Sequence, residues 1–175
     1  MLVQFLFSSS NIFFFHKRIG KNGKYFTLYK FRTMKHSRDK ILSKYFEKYP
    51  DEKKFWEKNQ KLKNDPRITR FGYFLREYSL DELPQILNVL KGEMSFIGPR
   101  PIVESEKNKY GDKFNYYINV KPGLSGLWQV SGRNNTTYQE RVELDYLYTQ
   151  KMSFLLDVKI FFKTILVILM KKGAY

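Results

Sequence analysis

Cysteine is absent from the 175 residues, which excludes disulfides and thiolate metal sites. Histidine is nearly absent. Only His16 and His36 offer an imidazole, and they read most simply as surface or hydrogen-bonding groups. Acid is scarce beside base: 17 Asp and Glu stand against 32 Lys and Arg, for a formal charge of +15. A field of that sign attracts polyanions, whether nucleic acid, anionic lipid or phosphorylated substrates. Nucleic acid is disfavoured as a partner, because the basic residues are interleaved with acids and no zinc-finger or RNP signature appears. The glycine fingerprints of P-loop and dinucleotide-binding proteins are missing as well.

Long apolar runs are also lacking. Residues 1–15 are apolar but shorter than the roughly 20 residues a spanning helix needs, and Ser8-Ser9-Ser10-Asn11 breaks them. They carry no leading positive charge and no small-residue cleavage site, so they do not read as a secretory signal. Residues 154–170 contain Asp157, Lys159 and Lys163. Each charge would cost roughly 2.5–3.5 kcal/mol at a bilayer centre. A helix lying on a membrane surface, or a core helix, is expected there instead.

What is present suits one domain with a real core, since 42% of the residues are apolar. Aromatic residues make up 18%, fitting a ring-rich core or a surface meeting lipid headgroups. Residues 13–19 and 24–33 flank Gly20-Lys21-Asn22-Gly23 and read as a β-hairpin. In the second run Phe26 and Leu28 alternate with Thr27, Tyr29 and Phe31. Residues 36–64 are lysine-rich, with apolar residues at helical intervals, and Pro50 divides them into two helices. Their mixed charges read as a solvated face. Ile68, Phe71, Leu75 and Tyr78 follow helical spacing. A second helix is expected over residues 83–90, ended by Gly92. Gly98-Pro99-Arg100-Pro101 and Lys121-Pro122-Gly123 read as rigid turns. Residues 127–130 are a short strand candidate, and helix resumes near Thr137. The fold class expected is α+β: a mainly helical domain with a small β-hairpin and membrane-surface amphipathic helices.

The most chemically loaded segment is Arg76-Glu77-Tyr78-Ser79-Leu80-Asp81-Glu82-Leu83-Pro84-Gln85. Ser79 and Glu82 have capping-box spacing, but Pro84 then removes an amide from the helix interior. A start at Asp81 places Pro84 in the first turn at no cost, with Asp81 as an ordinary N-cap. The functional alternative is a phosphate site. A helix N-terminus attracts phosphate oxygens, and an aspartate there can attack phosphorus to form an acyl phosphate. Repulsion between carboxylates and a diphosphate calls for Mg²⁺. Arginine forks suit phosphate, and Arg76, Arg100 and Arg133 lie at turns or helix ends.

Several blocks resemble the bacterial sugar transferase family, the monotopic phosphoglycosyl transferases. They are Tyr29-Lys30-Phe31-Arg32-Thr33-Met34, Asp65-Pro66-Arg67-Ile68-Thr69-Arg70-Phe71-Gly72, Ser79-Leu80-Asp81-Glu82-Leu83-Pro84-Gln85, Gly92-Glu93-Met94-Ser95-Phe96-Ile97-Gly98-Pro99-Arg100-Pro101, Lys121-Pro122-Gly123-Leu124-Ser125-Gly126-Leu127-Trp128-Gln129-Val130-Ser131-Gly132-Arg133 and Leu156-Asp157-Val158-Lys159-Ile160. They occur in the family's order and cover nearly all of the chain from residue 12. The lysine-rich insert and the Gly173-Ala174-Tyr175 ending look most like undecaprenyl-phosphate galactose or glucose phosphotransferases.

The resemblance implies a ping-pong reaction. Asp81 attacks the sugar-bearing phosphorus of a UDP-hexose, UMP leaves, and undecaprenyl phosphate collects the phosphosugar in the first membrane step of exopolysaccharide, capsule or O-antigen synthesis. It implies that Asp81 and Glu82 hold Mg²⁺, with Glu82 an alternative proton carrier. Arg76, Arg100, Arg133, Lys30, Arg32 and Asp157 are expected to contact phosphate or substrate. Anionic membrane lipid is an expected partner, a homo-oligomer is compatible, and the expected location is the cytoplasmic face of the bacterial inner membrane, peripheral or monotopic. Residues 1–15 are expected to be the remnant of an N-terminal hydrophobic membrane segment, and residues 12–175 the catalytic domain. Two departures from the family pattern stand out: that shortened segment, and His16 where Gln is usual. The first keeps open the alternative of an inactive, membrane- or partner-binding remnant.

Overall fold

The computed structural model describes residues 12–59, 62, 64–132 and 136–170. Arg133, residues 1–11 and the Gly173-Ala174-Tyr175 ending lie outside the described residues. The chain opens with an antiparallel hairpin, β1 (Phe13–Ile19) and β2 (Tyr25–Phe31), in which Phe13 pairs with Phe31 and Ile19 with Tyr25. Phe13, Phe14 and Phe15, expected to end a hydrophobic membrane segment, are strand residues. The turn needs left-handed backbone, which Asn22 (φ 57°) and Gly23 (φ 71°) provide. Strand alternation sends Phe26 and Leu28 inward against Met94 and Val89. Lys30 is in phase with them, so its amine leaves the sheet on the core side.

Helices α1 (Arg38–Lys48) and α2 (Pro50–Asn59) follow, divided at Pro50 as expected. A strap at Asp65–Thr69 returns the chain to β2: Thr69 N donates to Thr33 O at 3.0 Å and Lys35 N to Arg67 O at 2.9 Å. Asp65, buried, accepts two prongs from Arg67, Nε at 2.8 Å and Nη2 at 2.5 Å. This pair fixes the strap and holds the Asp65 carboxyl below its usual value; burial opposes the shift and the Arg67 hydrogen bonds outweigh it. Helix α3 (Arg70–Glu77) is capped by Thr69, whose side chain accepts from Gly72 N at 2.9 Å.

Ser79, at φ 54°, then swings the chain into a 3₁₀ helix, Leu80–Gln85, continued by α4 (Ile86–Leu90). Helix therefore begins earlier than residue 83. Asp81 is not an N-cap, since it lies inside the 3₁₀ turn, and the Ser79 side chain makes no cap bond. The tighter 3₁₀ winding accommodates Pro84, which an α-helix starting at Ser79 would resist.

Strands β3 (Ser95–Ile97) and β4 (Gly123–Ser125) pair in parallel, Ser95 with Gly123 and Ile97 with Ser125. Between them run the short helices α5 (Lys107–Tyr110) and α6 (Phe114–Ile118), which pack Tyr110 and Tyr117 on Ile19, Ile102 and Val142. Residues 127–130 form no strand. They belong to helix α7 (Leu127–Ser131), in which Leu127 and Val130, three apart, pack on Ile97, Tyr148 and Ile160. A four-residue apolar run fits either period, and here tertiary packing selects the helix. Thr137 caps α8 (Tyr138–Lys151) through a capping box with Glu140, and Ser153 caps α9 (Phe154–Leu169). The architecture is α+β and mainly helical. No helix among the described residues is long and apolar enough to cross a membrane.

Gly72 seats α3 on β2: a Cβ there would stand 2.2 Å from Thr33 O, against backbone that is itself hydrogen-bonded. Gly72→Ala is expected to lower the unfolding free energy by about 1–3 kcal/mol in urea denaturation, with no change attributable to lost side-chain contacts. A change below about 0.5 kcal/mol would mean that α3 moves off the hairpin freely.

Candidate active site

Asp81 and Glu82 project from consecutive positions of the 3₁₀ helix, and neighbouring elements aim cations at them. Lys30 Nζ, from β2, donates to Glu82 Oε1 at 2.6 Å and stands 3.8 Å from Asp81 Oδ2. Arg100, from the turn after β3, reaches the same Glu82 oxygen with Nη1 at 3.2 Å and Nη2 at 3.3 Å. Arg76, from the end of α3, donates Nε to Thr33 Oγ1 at 2.9 Å, and its charge acts on Asp81. Thr33 is buried, so it fixes where the guanidinium lies.

The two acids are mostly buried, yet their acidities diverge. Burial alone would raise Glu82, but Lys30 and Arg100 outweigh it and hold its carboxyl at about 2. Asp81 is raised from its ordinary value, chiefly by burial; Lys30 opposes, and the charge of Glu82 adds to the rise. Glu82 is thus a fixed anion already paired with cations. Asp81 is a desolvated carboxylate without a comparably short ion pair.

Two cavities flank the pair. Asp81 lines a polar one, together with Lys30, Arg32, Thr33 and Arg76, whose rim also carries Arg18, Lys35 and Arg38. Six cations around one carboxylate form a site for a polyanion rather than for a neutral ligand. Glu82 lines the other cavity, which is largely apolar and walled by Leu83, Phe96, Leu124, Val130, Phe161 and Ile168.

Of the residues singled out in the sequence, Asp81, Glu82, Lys30, Arg76 and Arg100 come together. Arg32 lines the polar cavity and donates Nη2 to Phe13 O at 3.2 Å. Asp157 is placed elsewhere. It sits in the first turn of α9, accepting from Tyr148 OH at 2.8 Å, and Tyr148 also reaches Ile97 O at 3.4 Å. It joins α9 to α8 beneath β3. Arg133 falls outside the described residues.

Sequence reading missed the supports. Arg100 (5.7 Å to the ring) and Arg141 (5.0 Å) both lie over Trp128. Arg141 in turn pairs with Glu106 at 3.2 Å and Asp145 at 3.8 Å. Arg18 on β1 stands 3.6 Å from Glu106. No local pattern signals these, because the partners are 13 or more residues apart except for Arg141 and Asp145, whose four-residue spacing is that of any helix pair.

Among the described residues no group of three acidic or imidazole side chains could hold a metal by itself. Asp81, the acid that lines the anion cavity, offers carboxylate oxygens of the kind that hold a hard cation such as Mg²⁺ together with phosphate oxygens, with Glu82 the adjacent carboxylate.

The acid pair thus stands between a cavity lined by cations and a largely apolar one. The sequence pattern of the family described as bacterial sugar transferase matches residues 1–171, and the chain belongs to that family. Among relatives, it is 50% identical over 160 residues to the undecaprenyl-phosphate galactose phosphotransferase of Salmonella typhimurium (strain LT2), covering 91% of this chain and 34% of that protein. It is 47% identical over 165 residues to the exopolysaccharide production protein ExoY of Rhizobium meliloti (strain 1021), covering 94% and 73%. To the UDP-glucose:undecaprenyl-phosphate glucose-1-phosphate transferase of Xanthomonas campestris pv. campestris it is 39% identical over 176 residues, covering 96% and 34%. The chain spans about a third of the length of several of these relatives.

The ordinary value for Glu82 is 4.5, and the folded value is about 2. Its ionised form therefore stabilises the fold above about pH 5, and that contribution fades as pH falls toward 2, an effect of roughly 3 kcal/mol. Glu82→Gln is expected to flatten the acid limb of unfolding free energy against pH, measured by urea denaturation of both proteins. Parallel limbs would show that the Lys30–Glu82–Arg100 cluster is not formed in solution.

Proposed function

We propose that this chain is the catalytic domain of a phosphoglycosyl transferase moving hexose 1-phosphate from a UDP-sugar to undecaprenyl phosphate, for exopolysaccharide or related surface-polymer synthesis. One observation carries the reading: the acid dyad stands between a cationic cavity fitted to a diphosphate and an apolar cavity fitted to a lipid. The printed activities of the relatives point the same way.

In the first half-reaction an Asp81 carboxylate oxygen attacks the phosphorus bearing the sugar. The bond from that phosphorus to the bridging oxygen breaks, and UMP departs with the electron pair. In the second, a phosphate oxygen of undecaprenyl phosphate attacks the same phosphorus and restores the Asp81 carboxylate. The products are UMP and a lipid diphosphate sugar. Burial strips water from Asp81 and strengthens it as a nucleophile, while Lys30, Arg76 and Arg100 keep enough positive potential nearby for it to ionise. Glu82, with a carboxyl near 2, is too weak a base to collect protons at neutral pH. Its role is to hold cations in place.

Asp81 and Glu82 would hold Mg²⁺ jointly with the diphosphate oxygens. When bound, the ion neutralises the charge that develops on the departing phosphate. Arg76 and Arg32 orient the donor from the polar cavity.

Membrane attachment falls to α9. It buries Ile160 but exposes Leu155, Phe162, Leu166 and Leu169 at helical spacing, beside exposed Lys159 and Lys163. Such a face lies in a headgroup layer with its lysines reaching anionic lipid. This reading places the chain on the cytoplasmic leaflet, where the nucleotide sugar is available.

Asp81→Asn is expected to abolish lipid-linked product and the phosphohexose adduct seen by mass spectrometry of quenched wild-type enzyme. Excess chelator in the same assay should stop wild-type turnover. A wild-type chain that is folded yet forms neither adduct nor product would favour the remnant reading. In vesicle flotation, Phe162→Glu with Leu166→Glu is expected to weaken binding to phosphatidylglycerol-containing vesicles by roughly tenfold or more. Equal binding would place the membrane contact on another face.

A further inference from the structure

Gln129 is the one member of the apolar cavity whose polar groups are buried and unsatisfied. The residue is 7% exposed, and among the described residues neither its Oε1 nor its Nε2 has a hydrogen-bond partner. The other polar side chains at this cavity differ. Ser125 Oγ and Thr164 Oγ1 satisfy each other at 2.6 Å, and Thr164 also donates to Ile160 O at 2.8 Å. Glu82 is held by Lys30 and Arg100. Ser79 has an interaction of its own.

Buried amides are normally paired, because leaving one unpaired costs its full desolvation. Gln129 is not short of a rotamer by accident of a loose loop. It sits in α7, pinned by Leu127 and Val130 in the core and by Trp128, whose Nε1 donates to Thr136 Oγ1 at 2.6 Å. Gly126 lets α7 approach so closely that a Cβ there would stand 2.1 Å from Gly98 O and 2.9 Å from Gln129 Oε1. The backbone is thus drawn tight around the amide, and Gln129 lines the cavity with its hydrogen-bonding capacity unspent.

We infer that Gln129 is an acceptor-binding residue whose carboxamide N–H groups donate to a phosphate oxygen of a polyisoprenyl phosphate, with the first isoprene units lying along the apolar cavity. The inference rests on the transferase reading and adds a residue and a place to it. The cavity's chemistry selects this occupant. Its walls, Phe96, Leu124, Val130 and Phe161 among them, suit hydrocarbon and offer too few polar partners for a hexose. An anion entering this cavity meets the carboxamide donors of Gln129. One wall is α9, whose outer face is the exposed apolar surface described above, so a lipid leaving a membrane reaches the cavity beside that helix. Gln129 and Glu82 line the same space, which sets the acceptor phosphate next to the dyad.

The test compares the full wild-type chain with Gln129→Met and Gln129→Glu in detergent micelles, using farnesyl phosphate and farnesol as probes in calorimetric titrations. Farnesyl phosphate is expected to bind wild type roughly tenfold or more tightly than Gln129→Met, and Gln129→Glu more weakly still, through like-charge repulsion. Farnesol should bind all three alike. Because Gln129→Met replaces an unpaired buried amide by an apolar chain of similar length, its Tm should hold or rise; a purely structural amide would lower it. In turnover, KM for the lipid phosphate should rise while KM for the UDP-sugar stays near wild type.

Equal affinity of farnesyl phosphate for wild type and Gln129→Met would overturn the inference. So would a marked fall in Tm with both KM values rising together, or a wild-type cavity that binds neither probe. If wild type discriminates farnesyl phosphate through Gln129 but transfers no sugar, the binding site stands and the transferase reading fails.

Discussion

One carboxylate oxygen, Glu82 Oε1, receives Lys30 and Arg100 together. Through it the hairpin, the 3₁₀ helix and the turn after β3 are tied at a single point. Glu82 is mostly buried, and removing one partner from such a cluster typically costs about 3–5 kcal/mol, because a charge is left uncompensated. The geometry of Asp81 follows from this fastening. With its neighbour clamped, and with Pro84 and the turn at Ser79 on either side, the 3₁₀ helix cannot rotate the aspartate out of the cationic cavity.

The same fastening separates two environments. On the Asp81 side the lining is basic; on the Glu82 side it is apolar. The proposed transfer of a sugar phosphate from a nucleotide to a lipid would use both, meeting at the reacting phosphorus. Placing the two acids on adjacent residues achieves that meeting without a large domain movement. Their opposed pKa shifts suit the duties proposed for them, a desolvated nucleophile at Asp81 and a charged holder of cations at Glu82.

Beneath the site lies a second ionic layer, Arg18, Glu106, Arg141 and Asp145, with Tyr110 donating to Asp145 at 2.7 Å. Burial raises the Asp145 carboxyl to about 6 against the opposing pull of Arg141. Arg141 and Arg100 both lie over the Trp128 ring. Arg100 is thus held against an aromatic ring, which limits the entropy it would lose on meeting a phosphate.

Much of this chain was legible from local pattern. The hairpin, the break at Pro50, the helix after Thr137 and the chemical promise of Asp81-Glu82 each depend on residues a few positions apart, and period, turn chemistry and capping are local physics. The motif blocks identified the family for the same reason. What local pattern could not decide was anything requiring distant segments to meet. Residues 127–130 took the helical option because Leu127 and Val130 pack on Ile97, Tyr148 and Ile160. Asp81 proved to be neither a cap nor a free acid but part of a cationic pocket assembled from β1, β2 and α3. Gln129 looks like any amide in the sequence. Only the packed structure leaves it without a partner, since hydrogen-bond satisfaction is a property of the whole fold.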